Sequence, residues 1–254
     1  MPLLASPHMS PKAPQPVSKH DQPTFPMRIN KYLASKGYST RREADTLITK
    51  KQVFINGRIA VLGDKVMSDD DVEVRTGAGK SKKNVYFAYN KPVGIVTHSA
   101  QAGEKEIMQS VHIKGIAPIG RLDKDSHGLI ILTNDGRITD RLLNPEHEHV
   151  KEYIVEVKTK LRPTFKEYME RGVDIEGYIT KPCKVKILGD KVFAISISEG
   201  KKHQIRRMVA ALFNEVVDLQ RIKVMNIQLG GLALGRYRAI EGEELTTFLK
   251  SLGL

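Results

Sequence analysis

The sequence predicts an α+β protein with two domains, the larger of which is built on a mainly antiparallel mixed sheet. Short strand-like and helix-like segments follow one another without the regular β-α alternation that produces a parallel sheet. A stretch rich in Gly and Lys but without large apolar residues, 76–84, predicts a flexible linker. We therefore expect a small α/β domain over 27–75 and a larger domain over 85–254.

Composition indicates a protein that binds anionic polymers. The chain has 254 residues, a formal net charge of +12 and a pI near 9.6, which favours attraction to phosphate backbones or anionic membranes. No run approaches the roughly 18 apolar residues of a membrane span, and the start of the chain lacks the apolar core of a secretory signal. A single cysteine, Cys183, fits a reducing compartment. We expect a cytoplasmic protein that binds nucleic acid.

Residues 1–26 contain seven of the twelve prolines and few large apolar side chains. Such a segment cannot contribute to a core, and we expect a disordered tail.

The small domain is predicted to contain two helices and a hairpin. Apolar residues from Ile29 onward fall at helical spacing until Gly37, and Thr40 with Glu43 forms a capping box that opens a second helix. Asn56-Gly57 between two β-rich runs is the strongest short hairpin pattern, and further strands are expected at Val66 and Val72–Val74.

Basic residues lie on or beside the two predicted helices, opposite the apolar positions, and are candidates for contacts with RNA phosphates. The alternative is a solvated charged face. These residues are Arg28, Lys31, Arg41, Arg42, Lys50 and Lys51.

In the larger domain, strands are expected at 85–90, 129–132, 151–157, 184–188, 192–198, 216–219 and 221–227. Helices are expected after Asn134-Asp135-Gly136, over 163–171, from about His203 and near the C-terminus. The run Leu129–Leu132 has the composition of a strand buried on both faces, and Gly128 before it permits a tight turn.

The segment that precedes this buried strand is the candidate site. Arg121, Asp123, Lys124, Asp125, Ser126 and His127 fall within seven positions, so that two carboxylates and two cations are presented on a loop held by a rigid strand. The alternatives are a solvated turn, the metal ligands of a nuclease, or the acid and base of a glycosidase. Glu146–His149 has no fourth ligand at a fixed spacing, and we expect no metal site there or elsewhere.

The run Gly120-Arg121-Leu122-Asp123-Lys124-Asp125-Ser126-His127-Gly128-Leu129 resembles the G-R-L-D-x-D-[ST]-x-G-L motif of bacterial RNA pseudouridine synthases. R-I-N-K-Y-L, S-T-R-R-E-A-D and V-F-I-N-G, in residues 28–57, resemble an RNA-binding domain like that of ribosomal protein S-four. The resemblance covers roughly residues 27–250 and is nearest to the ribosomal-RNA enzymes of the family that carry this domain.

The resemblance implies roles for individual residues. Asp123 is the catalytic carboxylate, with Asp125 as the nearest competitor. Tyr153 in K-E-Y-x-V stacks on the target base, and Arg206 in K-x-H-Q-[IV]-[RK]-R-M pairs with the catalytic aspartate. Further residues are expected to shape the cleft: Arg121, Leu122, Lys91 and Gln204. Arg121 is also a candidate to occupy the space that the base vacates.

Isomerising a uridine requires the glycosidic bond to be broken and carbon 5 of the uracil to be joined to the ribose. A carboxylate serves as nucleophile or as base, and the sequence does not choose between them. The nucleotide must be flipped out of its stack. No cofactor is needed, and we expect a monomer whose partner is ribosomal RNA, with the large-subunit RNA favoured by the resemblance. Small-subunit RNA, transfer RNA and an inactive RNA-binding assembly factor are the alternatives.

Overall fold

The computed structural model describes residues 25–36, 38–39, 41–75 and 83–254. Several expectations fall outside the described residues. They are the proline-rich tail up to residue 24, the helix stop at Gly37, the cap at Thr40, the side chain of Arg42 and the linker over 76–82.

The N-terminal part folds as two helices packed on short strands. Its elements are β1 (Met27–Arg28), α1 (Ile29–Ser35), α2 (Arg41–Thr49), β2 (Val53–Ile55), β3 (Arg58–Ile59), β4 (Lys65–Val66) and β5 (Val72–Val74). Ile29 and Leu33 of α1 and Ala44 and Ile48 of α2 pack against Val53 in one small core. The two helices predicted from apolar spacing are confirmed.

The hairpin predicted at Asn56-Gly57 is also confirmed. Asn56 and Gly57 take φ angles of 50° and 77°, as a two-residue turn of type I′ requires. Strand β2 pairs with β3 and β5 in an antiparallel sheet of order β3-β2-β5, and β1 pairs with β4.

The C-terminal part is larger. Its strands are β6 (Tyr86–Lys91), β7 (Ile95–Val96), β8 (Lys105–Glu106), β9 (Ala117–Ile119), β10 (His127–Thr133), β11 (Lys151–Val157), β12 (Lys184–Ile187), β13 (Val192–Ile197), β14 (Val216–Val224), β15 (Ile227–Gln228) and β16 (Tyr237–Ala239). Its helices are α3 (Ile107–Ser110), α4 (Arg137–Leu143), α5 (Phe165–Glu170), α6 (Gln204–Ala211) and α7 (Gly242–Ser251), with a 3-10 turn at Pro145–His147.

A nine-stranded sheet forms the centre of this part. Its main path runs β12-β13-β11-β14-β10-β6-β16, while β15 pairs with β14 and β9 pairs with β10. All of these pairings are antiparallel except β10 with β14. The predicted α+β class with a mainly antiparallel sheet is confirmed, and β10 at its centre is buried over Gly128–Thr133.

Two predictions at the level of elements need correction. The segments 216–219 and 221–227, expected to be separate strands, form the single strand β14 up to Val224. Gly128, expected to permit a turn before the strand, lies inside β10 with φ +107°. A Cβ there would stand 2.3 Å from the carbonyl oxygen of Arg221, so glycine is required by close packing of two strands.

Candidate active site

The candidate loop, residues 120–126, connects β9 to β10. The two strands are antiparallel neighbours, with Ile119 opposite Ile131, so the loop is anchored at both ends to the centre of the sheet. Leu122 in the loop is buried in an apolar cluster that also contains Ile205 and Met208 of α6. The loop is therefore held against a packed core while its charged residues lie on either side of the Leu122 anchor.

Thr97 fixes the backbone immediately before Asp123. Its buried hydroxyl donates to the carbonyl oxygen of Leu122 at 2.9 Å and accepts the amide N–H of Leu122 at 3.1 Å. One further backbone bond, from Gly94 N–H to the carbonyl of Lys124 at 2.8 Å, holds the far side of Asp123. Both neighbours of Asp123 are thus tied to the segment that follows β6.

The buried ammonium of Lys91 lies beneath the loop. Lys91 Nζ donates to the carbonyl oxygens of Pro92 at 2.9 Å and Ile95 at 2.7 Å, and lies 3.5 Å from that of Lys124. Burial lowers the pKa of Lys91 to about 8 against the attraction of the Asp123 and Asp125 carboxylates, which raises it. Lys91 contacts the backbone of the loop from the inside, and its expected role in shaping the cleft stays a prediction.

A second buried cation, Arg221 of β14, reaches the same loop. Its Nε donates to the carbonyl of Leu129 at 2.7 Å and its Nη1 to that of Arg121 at 3.4 Å. Arg221 also contributes to the lowered pKa of Lys91, because two like charges lie close together.

Asp123 itself is half-exposed, and its described partner is a histidine. His203 Nε2 lies 3.5 Å from Asp123 Oδ1, with side-chain exposures of 48% for the histidine and 39% for the aspartate. His203 precedes α6 in the left-handed conformation, φ 52°. The carboxylate therefore faces solvent beside an imidazole.

The predicted ion pair between Arg206 and Asp123 is not formed, and this is a correction. Arg206 Nη2 donates to the carbonyl oxygen of Asp125 at 2.9 Å and lies 3.3 Å from the hydroxyl of Ser126. Its Nη1 donates to the carbonyl of Val216 at 3.3 Å. The Arg206 guanidinium contacts the candidate loop, but its acceptors there are the Asp125 carbonyl and the Ser126 hydroxyl and not the Asp123 carboxylate.

Tyr153 lies in the core beneath the loop. It is 8% exposed, belongs to the same apolar cluster as Leu122 and Ile205, and stands opposite Arg221 in the pairing of β11 with β14. The side chain points to the apolar face of β11 together with Val155, as the alternation of the strand predicted. Its stacking on a base stays a prediction.

Two further cleft candidates differ in environment. Arg121 is exposed at the start of the loop, and its entry into an RNA stack stays a prediction. Gln204 is buried, and its amide is used inside the protein: Nε2 donates to Glu199 at 2.7 Å, and Oε1 accepts the N–H of Lys201 at 2.9 Å. The expectation that Gln204 lines the cleft is corrected, because its hydrogen bonds shape the turn before α6.

Sequence reasoning did not single out Thr97, His203 and Arg221 as site residues. His203 was noted only as the point where a helix starts, although its place in the K-x-H-Q motif pointed to the site. Thr97 and Arg221 lie 25 and 100 residues from their partners in the loop, so no local pattern connects them.

The basic candidates of the N-terminal part lie at the surface. Arg28, Lys31, Arg41, Lys50 and Lys51 are all exposed. Their arrangement is compatible with phosphate contacts, and their role stays a prediction.

The described residues contain neither a metal-binding cluster nor a membrane-spanning helix. In residues 25–36, 38–39, 41–75 and 83–254 no three His, Cys, Asp or Glu side chains come together in a group that could hold a metal ion. Within these same ranges, no helix has the length and apolar character needed to cross a membrane.

Comparisons with known proteins identify both parts of the chain. A family model described as RNA pseudouridylate synthase matches residues 85–211, and a model described as S4 domain matches residues 27–72. The first match includes the Asp123 loop, Tyr153 and Arg206. The second contains the two helices and the hairpin of the N-terminal part.

Several known proteins can be aligned with most of this chain. The dual-specificity RNA pseudouridine synthase RluF of Salmonella typhi is 42% identical over 88% of this chain and 78% of its own length. The ribosomal large subunit pseudouridine synthase B of Bacillus subtilis is 34% identical over 86% of this chain and 93% of its own length. A crystal structure of a pseudouridylate synthase, 31% identical, superimposes with a TM-score of 0.65 over 89% of this chain and 99% of that one. The chain therefore belongs to the RNA pseudouridylate synthase family and is an RNA pseudouridine synthase with an N-terminal S4 domain.

Proposed function

We propose that this enzyme isomerises a uridine of large-subunit ribosomal RNA and that Asp123 is its catalytic carboxylate. The observation that carries the assignment is the placement of Asp123. Its carboxylate is half-exposed, while the backbone on both sides is held by Thr97 and Gly94 and the adjacent Leu122 is buried. A reacting group must be accessible yet fixed, and this arrangement provides both.

Residues around Asp123 supply the other requirements of the reaction. Exposed Arg121 is placed to enter the RNA stack when the uridine is flipped out. Tyr153 is the proposed stacking partner of the uracil; its ring is 8% exposed, so stacking requires the ring to become accessible when RNA binds. Arg206 holds the Asp125-Ser126 turn and contributes positive charge beside the site. Asp123 then acts on the ribose as nucleophile or as base without a metal or organic cofactor.

The test of this role uses two aspartates of the same loop. We expect Asp123→Asn to bind RNA normally and to lose turnover by at least about a thousandfold, because the amide can neither attack nor accept a proton. Asp125→Asn is the matched control and should retain most of its activity. The measurement is the single-turnover rate of pseudouridine formation, detected by a pseudouridine-specific adduct, in metal-free buffer. Substantial turnover by Asp123→Asn would contradict the assignment.

The choice of RNA rests on the relatives. One is named for the ribosomal large subunit, and RluF is named for dual specificity toward RNA. Incubating the enzyme with unmodified large-subunit RNA, small-subunit RNA and transfer RNA, and mapping the modified uridines, tests the substrate. We expect modification of large-subunit RNA, and modification confined to the other two RNAs would overturn this part of the proposal.

We further propose that residues 27–75 form the RNA-binding domain, that 76–84 link it to the catalytic domain over 85–254, and that the enzyme acts as a monomer in the cytoplasm. The exposed basic side chains of the S4 domain support the first point. Bacterial ribosomal RNA is made and assembled in the cytoplasm, which supports the proposed cytoplasmic location.

A further inference from the structure

Arg221 connects the two sides of the candidate catalytic loop. It lies in the middle of β14, where its backbone is paired with Gly128 of the parallel strand β10 and with Tyr153 of the antiparallel strand β11. The contact with Gly128 is so close that a Cβ on that glycine would meet the Arg221 carbonyl oxygen at 2.3 Å and the amide nitrogen at 2.7 Å. The backbone of Arg221 is therefore fixed relative to the strand that ends the loop.

The side chain of Arg221 then reaches to both ends of the loop. Nε donates to the carbonyl oxygen of Leu129, the third residue of β10, at 2.7 Å. Nη1 donates to the carbonyl oxygen of Arg121, two residues before Asp123, at 3.4 Å. A guanidinium suits this task because its donors are held in a rigid planar fork, whereas a lysine ammonium is a single point at the end of a flexible chain.

The environment of Arg221 argues against a role in stability alone. The side chain is 5% exposed, and both of its hydrogen bonds among the described residues go to backbone carbonyls rather than to a carboxylate. Buried Lys91 lies close by, and the proximity of the two cations is unfavourable. A buried charge without an ion-pair partner costs folding free energy, and an apolar residue of similar volume would avoid that cost.

We infer that Arg221 is a positioning residue for this reaction: it fixes the loop between Arg121 and Leu129 so that the Asp123 carboxylate is presented to the flipped uridine. The inference rests on the proposed role of Asp123. Arg221 itself acts through the loop backbone and does not contact the substrate. Its loss should therefore slow the chemical step and leave the affinity for RNA unchanged.

The experiment compares Arg221→Gln and Arg221→Lys in the full-length enzyme. We expect the single-turnover rate to fall by about a hundredfold in Arg221→Gln, because a misplacement of about 1 Å has an effect of that size. Arg221→Lys keeps the charge and can reach one carbonyl, so its rate should lie between those of Arg221→Gln and the wild type. The dissociation constant for substrate RNA should stay within about twofold in both variants.

Arg141→Gln is the matched control. Arg141 is half-buried, less than Arg221, but it also donates to two backbone carbonyls, those of Leu252 at 2.6 Å and Gly253 at 2.9 Å, which lie at the C-terminus. Its loss should lower thermal stability without changing the single-turnover rate. An equal loss of rate in Arg141→Gln would overturn the inference, since any arginine that joins two backbone carbonyls would then have the same effect.

Asp123→Asn, measured in parallel, separates the two proposals. If Asp123→Asn is inactive while both Arg221 variants react at wild-type rate, the positioning role is wrong and the role of Asp123 stands. If Asp123→Asn turns over, the proposed site itself is wrong. If Arg221→Gln does not fold, Arg221→Lys decides: a slower single-turnover rate with unchanged RNA affinity supports the inference, and a wild-type rate overturns it.

Discussion

At the scale of single residues, Lys91 is the charge that the fold constrains most tightly near the loop. It is fully buried, and its ammonium is held by two carbonyl oxygens of the segment that follows β6. Burial lowers the pKa of Lys91, Asp123 and Asp125 raise it and Arg221 lowers it, and the net change is from 10.5 to about 8. Lys91 therefore loses its proton in the folded protein at a lower pH than in the unfolded chain.

This difference predicts a pH-dependent stability. Between about pH 8 and pH 10.5 the unfolded chain binds a proton at Lys91 that the folded protein has released, so the free energy of unfolding rises with pH. Relative to Lys91→Met, which has no such titration, the wild type should gain up to about 3 kcal/mol across this range. Urea unfolding of both proteins at several pH values measures this difference in the free energy of unfolding. A constant difference between the two proteins would contradict the prediction.

The residues of the site were predictable only where a local motif contained them. Asp123 and Tyr153 lie in short patterns, and the structure places both around Leu122. Arg221 has no such pattern, since its hydrogen bonds go to the carbonyls of Leu129 in β10 and Arg121 in the loop, 92 and 100 residues earlier in the chain. The partner of Arg206 was predicted wrongly because a motif specifies which side chains come together but not which acceptor a guanidinium chooses.

At the scale of elements, the central strand was predicted well and its parallel neighbour only in part. The continuous apolar run in β10 predicted burial on both faces, and Leu129–Leu132 are at most 1% exposed. In β14 the polar pair Gln220-Arg221 interrupts the apolar pattern, which led to two strands being expected. The short elements β7, β8 and α3 carry no periodic pattern and were not predicted, although Thr97 directly follows β7.

The contact between β10 and β14 predicts a strong effect for Gly128→Ala. The added Cβ would overlap the Arg221 backbone, and alanine also disfavours φ +107°. We expect the free energy of unfolding to fall by at least about 2 kcal/mol, measured by chemical denaturation. Gly231→Ala is the control, because a Cβ on Gly231 would meet no atom within 4 Å beyond its chain neighbours. Equal stability of the two variants would contradict the prediction, because β10 and β14 would then accommodate the added Cβ without cost.

At the scale of the whole molecule, the predicted RNA-binding residues and the candidate reacting group belong to different domains. The exposed basic residues of the N-terminal part surround its two helices, while the candidate reacting group lies in the other part. The two-domain organisation was predictable from the change of composition at the Gly- and Lys-rich stretch. The parallel pairing inside the sheet was not, because nothing local distinguishes it from an antiparallel one.

This division predicts a salt-dependent role for the first domain. Replacing Lys31, Lys50 and Lys51 with Gln should weaken RNA binding and reduce the slope of log affinity against log salt by about 2. The single-turnover rate at saturating enzyme should not change. The control replaces three exposed lysines near the far edge of the sheet with Gln: Lys166, Lys184 and Lys186. An equal change of slope in both triple variants would indicate attraction by net charge alone.

The parallel pairing of β10 with β14 also has a consequence for biosynthesis. Translation delivers Asp123 roughly a hundred residues before Arg221, so a growing polypeptide that already displays the aspartate still lacks the strand that holds its loop. Domains generally mature as units once their sequence has emerged. We therefore expect a nascent enzyme on the ribosome to be inactive toward the RNA around it until β14 has left the exit tunnel.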